Sequence, residues 1–311
     1  MASLRDVRPV LRSYGVWPFL KRVAQQINED GIFVWAAALA YSWLFSIFPF
    51  LILLLSLVPY LPDSAKNSAY RAVAEFITTM LGKEAHTIND NIEQVMRQPR
   101  RGWLIIGLAV SIWVASGGMA MTMSALNKCY DIKKGRPYYK QRALAIGITL
   151  GVAVCVLVMI LLLPVGAAVE SWLVYRHVLT GPLRIALDMV RYALSLVLAV
   201  FVLAIIYYFG PAIRQRFQLL SPGALFSAVV WIVLDILFRF YVDRYARYDQ
   251  TYGTVGGAAI LLLFFYIDGL VLLIGAEINS EIDFERLGVP SGSIDFTGPV
   301  KPKLPEISPE L

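Results

Sequence analysis

Hydrophobic positions along the chain fall into long continuous runs, unlike the three-to-four-residue spacing of a soluble amphipathic helix. The last run, from Gly253 to Ile278, holds 26 residues, of which only Asp268 and Glu277 are charged. At about 1.5 Å of rise per residue, a helix of that length covers roughly 39 Å, enough to cross the hydrocarbon core of a bilayer with some tilt. The run therefore predicts a membrane-spanning helix.

Five earlier runs have the same character, which predicts an all-α membrane protein built as a bundle of six transmembrane helices. The predicted spans cover residues 32–60, 102–125, 143–168, 187–209, 221–241 and 253–278. Together they form one membrane domain, residues 32–286. Pro49 lies near the middle of the first span, where its missing backbone donor predicts a kink and a candidate gate.

Two of the spans contain glycines four residues apart. Gly147 and Gly151 lie in the third span, and Gly253 and Gly257 lie at the start of the sixth. This spacing lets two membrane helices approach backbone to backbone. We expect these four glycines to lie at helix–helix contacts.

Three segments flank or interrupt the spans. Residues 1–31 are basic, and apolar positions recur at helical spacing between Trp17 and Ile27, which predicts a short helix in the cytoplasmic interface or one packed on the bundle. The connection 61–101 carries two apolar stripes, which predict two amphipathic helices in an external loop. The tail, 287–311, is rich in Pro, Ser and Gly and is expected to be disordered.

Composition supports the membrane assignment. Hydrophobic residues make up 58% of the chain, charged residues 16%, and the mean hydropathy is +0.63. The net charge is +6, and the basic residues flank apolar runs, which suits contact with anionic lipid better than binding of nucleic acid.

The most basic connection, 128–142, is predicted to be cytoplasmic by the positive-inside rule, so six spans place both termini in the cytoplasm. The first loop carries six basic residues and opposes this orientation, although its five acidic residues weaken that opposition.

Several kinds of site are excluded by residue type. The chain has no G-x-x-x-x-G-K-[ST] phosphate loop and no G-x-S-x-G nucleophile motif. His86 and His177 lie far apart, and Cys129 and Cys155 fit neither a disulfide framework nor a metal cluster. No catalytic residue, metal site or cofactor is predicted.

Ionisable residues at membrane depth are the remaining candidates for chemistry. Asp235 lies four residues before Arg239, so the two can pair along one helix face, as a structural pair or as part of a polar path. Asp268 has no basic residue one turn away in its own helix and needs a partner from another helix, water or a proton. Glu277 can accept bonds from the basic second loop. These four residues form the candidate polar path, and for Asp268 a functional and a structural role are equally open.

Several sequence blocks, in order along the chain, resemble a known family. They are AAALAYSWLFSIFPF, SALNKCYDIKKGRPYYKQR, SPGALFSAVVW, FYVDRYARYDQTYGTVGG and GAEIN. The sequence resembles the YihY/virulence factor BrkB family of bacterial inner-membrane proteins, some of which carry an old ribonuclease BN label, over roughly Ile32 to Arg286. The resemblance implies a six-helix integral membrane protein, with transport or lipid movement proposed as its activity.

The resemblance also places individual residues. Glu277 matches the last block, and Asn127, Arg136 and Arg142 match family positions on the basic loop. Those three are candidate contacts for lipid headgroups, with maintenance of the topology as the alternative. Asp268 departs from the family pattern, since a small or hydroxyl residue is expected there.

Two classes of function remain open. In the first, the bundle is a transporter or lipid translocator with a polar path through Asp268 and a gate at Pro49. In the second, it is a non-transporting envelope scaffold whose first-loop helices contact a protein partner or a second copy. Membrane lipids are expected contacts in both classes and nucleic acid in neither, and ribonuclease activity is not expected.

Overall fold

The computed structural model describes residues 15–57, 101–132, 134–175, 181–213, 217–245 and 248–287, with Gln215 and positions 4, 6, 7, 9 and 12. Every regular element in these ranges is a helix, which confirms the all-α class within them. In chain order the helices are α1 Val16–Glu29, α2 Ile32–Leu57, α3 Arg101–Cys129, α4 Tyr138–Tyr175, α5 Gly181–Phe209, α6 Pro222–Tyr245 and α7 Tyr248–Leu287.

Five helices in the described part of the chain are long and apolar enough to cross a membrane. Their apolar stretches are Ile32–Leu54, Gly107–Cys129, Tyr138–Met159, Ile185–Phe209 and Gly256–Arg286. In α6 the apolar stretch is shorter, Pro222–Leu234. The chain therefore has the several membrane-length helices that its hydropathy predicts, and the sixth span stays a prediction.

The helices run beyond the predicted spans. Helix α7 has 40 residues and continues to Leu287, although the predicted span ended at residue 278. Its added turns carry charged residues, yet Glu281 and Phe284 are buried by neighbouring parts of the chain. Hydropathy finds only the part of a helix that is apolar on all sides, so it misses turns whose charges are covered by the rest of the fold.

The core lies where α7 packs against α2 and α6, and where α2 also packs against α3. Ala36 and Leu39 of α2 are fully buried, and Gly269 of α7 faces both of them. Helices α3, α4 and α5 follow as sequential neighbours. Helix α7 contacts both α2 and α6, so the last described helix packs against an early helix and against the helix that precedes it.

Helices α6 and α7 cross in direct backbone contact. A Cβ atom on Gly223 would overlap the carbonyl oxygen of Gly275, and one on Gly275 would overlap the hydroxyl of Ser227. Only glycine fits at these two positions. By contrast, a Cβ atom at Gly147 or Gly151 meets nothing within 4 Å in the described structure, so these predicted contact glycines are open there.

The other predicted glycine pair, Gly253 and Gly257, lies on α7. Gly253 falls where side-chain surroundings are not described. Close packing at this pair stays a prediction.

Helix α1 lies against the last turns of α7. Phe19 packs on Ile282, and Arg22 pairs with Glu285 at 3.4 Å. The turn into α2 passes through Gly31, whose φ of 63° is accessible to glycine without strain. Placement of α1 in the membrane interface stays a prediction.

The connection 61–100 and the tail after residue 287 lie outside the described residues. The two amphipathic helices predicted for the first loop, and the disorder predicted for the tail, therefore remain predictions.

Candidate functional site

The carboxyl group of Glu277 is buried inside the described bundle near the end of α7. The residue is 1% exposed. Ser280 Oγ lies 3.4 Å from its Oε2, and no group among the described residues lies within normal hydrogen-bond geometry of Oε1. The buried Cys129 thiol, a weak donor, lies close enough to interact with this carboxyl group and is a candidate partner for it. A buried carboxyl oxygen without a partner is costly, so this site is suited to take up a proton, a water molecule or a cation.

A partly buried ion pair lies beside this carboxyl group. Lys128 Nζ is 2.8 Å from Asp30 Oδ1, and the Asp30 side chain is 5% exposed. Asp30 ends α1 and Lys128 lies in the last turn of α3, so the pair joins two helices that are distant in sequence. The Lys128 ammonium is thus bonded to Asp30, and in the part of the chain that the structure describes no ion pair neutralises Glu277.

Further acidic groups surround Glu277. Asp30, Asp131 and Glu281 are close enough to interact electrostatically with its carboxyl group. Like charges at this distance disfavour a second ionised carboxyl. The Lys128 ammonium also interacts electrostatically with Glu277, but three carboxyl groups face Glu277, so the balance favours uptake of a proton or a cation there.

Tyr130 adds a second buried polar group without a partner in the described structure. It is 1% exposed, and its hydroxyl finds no hydrogen-bond partner there. Burial raises the pKa of Tyr130 well above its ordinary value, and the nearby Asp283 carboxyl acts in the same direction. The phenol therefore stays neutral and is able to donate a hydrogen bond.

A separate polar cluster between α5, α6 and α7 is satisfied. The Tyr207 hydroxyl lies 2.8 Å from Ser227 Oγ and donates to the carbonyl oxygen of Leu272 at 2.8 Å. Asn279 accepts from the Gly223 backbone N–H at 2.8 Å and donates to Ser221 Oγ at 3.1 Å. These bonds fix the α6–α7 crossing and leave little capacity for a ligand.

The structure describes only some of the surroundings of the other residues in the predicted polar path. Asp268 is half-buried and is not without a partner. It lies nine residues before Glu277, about 13 Å along the helix, so the two are separate positions. The side chains of Asp235 and Arg239 lie outside the described part, and their pairing stays a prediction.

Pro49 lies inside the continuous helix α2. Its predicted roles as kink and gate stay predictions.

Two of the three predicted headgroup contacts are bonded to the chain itself. Arg136 donates to the carbonyl oxygens of Gly210 and Pro211 at 2.8 and 2.6 Å, and Asn127 accepts from the Ala212 backbone N–H at 2.7 Å. Burial lowers the pKa of Arg136 from its usual value, but a guanidinium remains charged. These two residues fasten the turn after α5 to the turn after α3, which favours the topological role.

Arg142, the third of these residues, lies elsewhere. Its guanidinium stacks 4.2 Å from the ring of Trp113, within α3, and donates to the carbonyl oxygen of the same residue. Its Nε is buried without a hydrogen-bond partner among the described residues. Arg142 therefore belongs to a different site from Asn127 and Arg136.

Sequence reasoning missed the Asp30–Lys128 pair and the Tyr207 cluster. The first joins residues that lie 98 positions apart in the sequence. The second joins hydroxyl groups, which are uncharged and therefore do not stand out in an apolar run. One sequence pattern indicates the Tyr207 cluster: Gly223 and Ser227 form a small-xxx-small pair at the start of α6, which is typical of a close helix–helix contact.

Comparison with known proteins agrees with the geometry of a membrane bundle. The sequence profile of the family described as Virulence factor BrkB matches residues 23–292. The ribonuclease-like protein YfkH of Bacillus subtilis is 32% identical over 247 residues, which cover 79% of this chain and 88% of that protein. No solved structure matches the chain.

More distant relatives carry the description UPF0761 membrane protein. The protein from Pseudoalteromonas translucida is 26% identical over 85% of this chain and 86% of its own length. The protein from Chlorobium luteolum is 26% identical over 88% of this chain, and the match spans only 62% of that longer protein. The chain belongs to the virulence factor BrkB family of membrane proteins.

Proposed function

We propose that this chain is a multi-pass protein of the bacterial inner membrane that moves a solute or a lipid along a polar path between its helices. Helix α6 is the sixth span in this proposal, since its 24 residues reach about 36 Å. The basic connection after α3 supports a cytoplasmic location for that end of the bundle and for both termini.

The observation that carries the proposal is the unpartnered oxygen of Glu277 within the described bundle. A helix bundle with a purely structural interior would bond both carboxyl oxygens or replace the residue by an apolar one. An ionisable group retained at membrane depth commonly marks a pathway for substrate, ions or protons.

The proposed path continues from Glu277 to Asp268, two and a half turns away on the opposite face of the same helix, and to Asp235 and Arg239 on α6. Because hydrogen bonds fix the α6–α7 crossing at Gly223 and Gly275, the path in this proposal opens between the parts of the two helices beyond that crossing. Pro49 is the proposed gate in α2, because its helix lacks one backbone hydrogen bond there.

A second function, as a non-transporting envelope scaffold, is favoured by one observation. Trp17 is 78% exposed on α1, beside the exposed Val16 and Leu20, so apolar side chains project from the end of the bundle. In this proposal α1 lies against the membrane surface, and the loop 61–101 contacts an envelope protein or a second copy. The word ribonuclease-like belongs to the name of YfkH and is not extended to this chain.

The experiment that separates the two functions is reconstitution of the purified full chain in liposomes. Movement of labelled phospholipid, of protons and of small solutes is followed for the wild type, Glu277→Gln and Asp268→Asn. Glu29→Gln is the matched control, because it removes one acidic charge from an exposed position. We expect at least one cargo to move, and Glu277→Gln to slow it about tenfold, a loss of roughly 1.4 kcal/mol.

Absence of movement for every cargo, or equal rates for Glu277→Gln and Glu29→Gln, contradicts the polar path. Substitutions on α1 or in the first loop that abolish capture of a partner, with the fold retained, support the scaffold.

A further inference from the structure

The Arg142 guanidinium lies at the level of the middle of α3. Trp113, on which it stacks, is about 18 Å along the helix from Arg101 and about 24 Å from Cys129, at 1.5 Å per residue. The neighbouring Gln141 bonds to Ala120 and Ser124, nearer the end of α3. The Arg142 side chain thus extends from the first turns of α4 toward the middle of the span.

This direction is opposite to the ordinary behaviour of arginine in a membrane protein. An arginine near a helix end normally extends its head toward water, because a guanidinium in the hydrocarbon layer is costly. Arg142 lies within two turns of the start of α4 and points inward. Something at that depth must therefore compensate its charge.

The contacts that Arg142 makes do not neutralise it. A guanidinium has five N–H donors. One nitrogen of Arg142 donates to the carbonyl oxygen of Trp113, which also accepts from Ser116 Oγ at 2.9 Å, while Nε is buried without a partner in the described structure. No carboxylate within the described residues pairs with Arg142. Stacking on the indole ring holds the guanidinium and leaves donors along its edge without a partner among the described residues.

The guanidinium of Arg142 lies beside α3 backbone and near the surface of the described bundle. A Cβ atom on Gly117 would lie 3.9 Å from Nη1 of Arg142 and 3.8 Å from Ser46 Oγ, so the guanidinium faces a stretch of α3 that carries no side chain. Ser46 Oγ accepts from the Gly118 backbone N–H at 2.9 Å and donates to the carbonyl oxygen of Val114 at 3.4 Å, so its hydroxyl proton is already engaged. Trp113 is 51% exposed, which opens the site toward the side of the bundle.

We propose that Arg142 and Trp113 form a binding site for a phosphate group at mid-depth in the bundle. The guanidinium fork matches two phosphate oxygens, and the indole ring fixes the plane of the guanidinium. The phosphate belongs either to the headgroup of an anionic phospholipid or to a free phosphate compound. As an assignment of cargo class the inference rests on the proposed transport function, whereas the binding site itself does not.

The test is native mass spectrometry of the full chain in detergent, titrated with phosphatidylglycerol and, separately, with phosphatidylcholine. The wild type is expected to bind phosphatidylglycerol preferentially. Arg142→Gln is expected to weaken this binding by about tenfold or more, as for loss of a charge-assisted bond. Lys140→Gln is the matched control, since it removes the same charge from an exposed position two residues away, and is expected to stay within about twofold.

Two further variants keep the test decisive if Arg142→Gln fails to fold. Arg142→Lys keeps the charge but loses the planar fork, and Trp113→Leu removes the ring under it. Both are expected to weaken phosphatidylglycerol binding. Wild-type binding in both, or equal losses in Arg142→Gln and Lys140→Gln, overturns the proposal.

Addition of inorganic phosphate distinguishes the sources of the ligand. Displacement of phosphatidylglycerol from the wild type assigns the site to a free phosphate compound, and retention assigns it to the lipid headgroup. Phosphatidylglycerol binding is measured separately from transport, so the two proposals can fail separately. Binding of the lipid without movement of any cargo in liposomes contradicts the proposed function alone. Movement of cargo without binding of the lipid contradicts this site alone.

Discussion

Tyr207 shows how single polar side chains are accommodated in the apolar interior of the bundle. Its hydroxyl lies within hydrogen-bond distance of Ser227 and of the Leu272 carbonyl oxygen, so it joins α5 to both α6 and α7. Glu277 is the contrasting case, because one of its oxygens has no such partner in the described structure. The difference separates a side chain that holds the fold from one that is available to a ligand.

Tyr207→Phe is expected to destabilise the folded protein by about 1 kcal/mol, the net contribution of a typical buried hydrogen bond. The measurement is the free energy of unfolding in mixed micelles. Tyr208→Phe is the control, since no hydrogen bond of the Tyr208 hydroxyl is described. Equal losses in the two variants would show that the Tyr207 bonds contribute nothing.

The partners of these residues were not predictable from the sequence. Charge alone identifies Glu277 as unusual in an apolar run, and the structure buries it within the described bundle. The Asp30–Lys128 pair at 2.8 Å joins a helix end to another helix end across 98 positions, and no local pattern specifies it. The sequence pattern places Arg142 in the basic connection before the third span. It does not show the direction in which the long side chain of this residue extends.

At the scale of elements, hydropathy predicted the existence and order of the membrane-length helices well. Long apolar runs can only be satisfied as helices in lipid, so their assignment depends little on tertiary context. Helix ends depend on that context. The last turns of α7 are covered by α1, since Phe19 packs on Ile282, a contact that composition does not reveal.

The glycine contacts provide a direct test at this scale. Gly275→Ala is expected to destabilise the protein by about 1–3 kcal/mol, because its Cβ overlaps Ser227 and forces α6 and α7 apart. Gly151→Ala is expected to be neutral or to stabilise by up to about 1 kcal/mol, since its Cβ meets open space in the described structure and alanine favours the helix. Unfolding in mixed micelles compares the two, and equal effects would contradict the described crossing.

For the whole molecule, many of the described polar contacts lie at the end where α2 begins and α7 ends. Arg136 and Asn127 hold the turn after α5, and Arg22 binds Glu285 between the first and last described helices. Glu277 lies just inside this bonded end. A path that reaches Glu277 must therefore open between helices that are otherwise fastened together.

The central claim is that Glu277 lies on a polar path between the helices. A polar path admits water, so the accessibility of a cysteine at this position tests the claim most directly. Glu277→Cys is placed in a Cys129→Ala, Cys155→Ala background, and its reaction with a charged thiol reagent is timed in proteoliposomes. Leu273→Cys, a fully buried position one turn away on the same helix, is the control. We expect the cysteine at position 277 to react at least about tenfold faster than the cysteine at position 273. A tenfold difference in rate corresponds to about 1.4 kcal/mol in the free energy needed to expose the site. Equal, slow reaction at both positions would contradict the account.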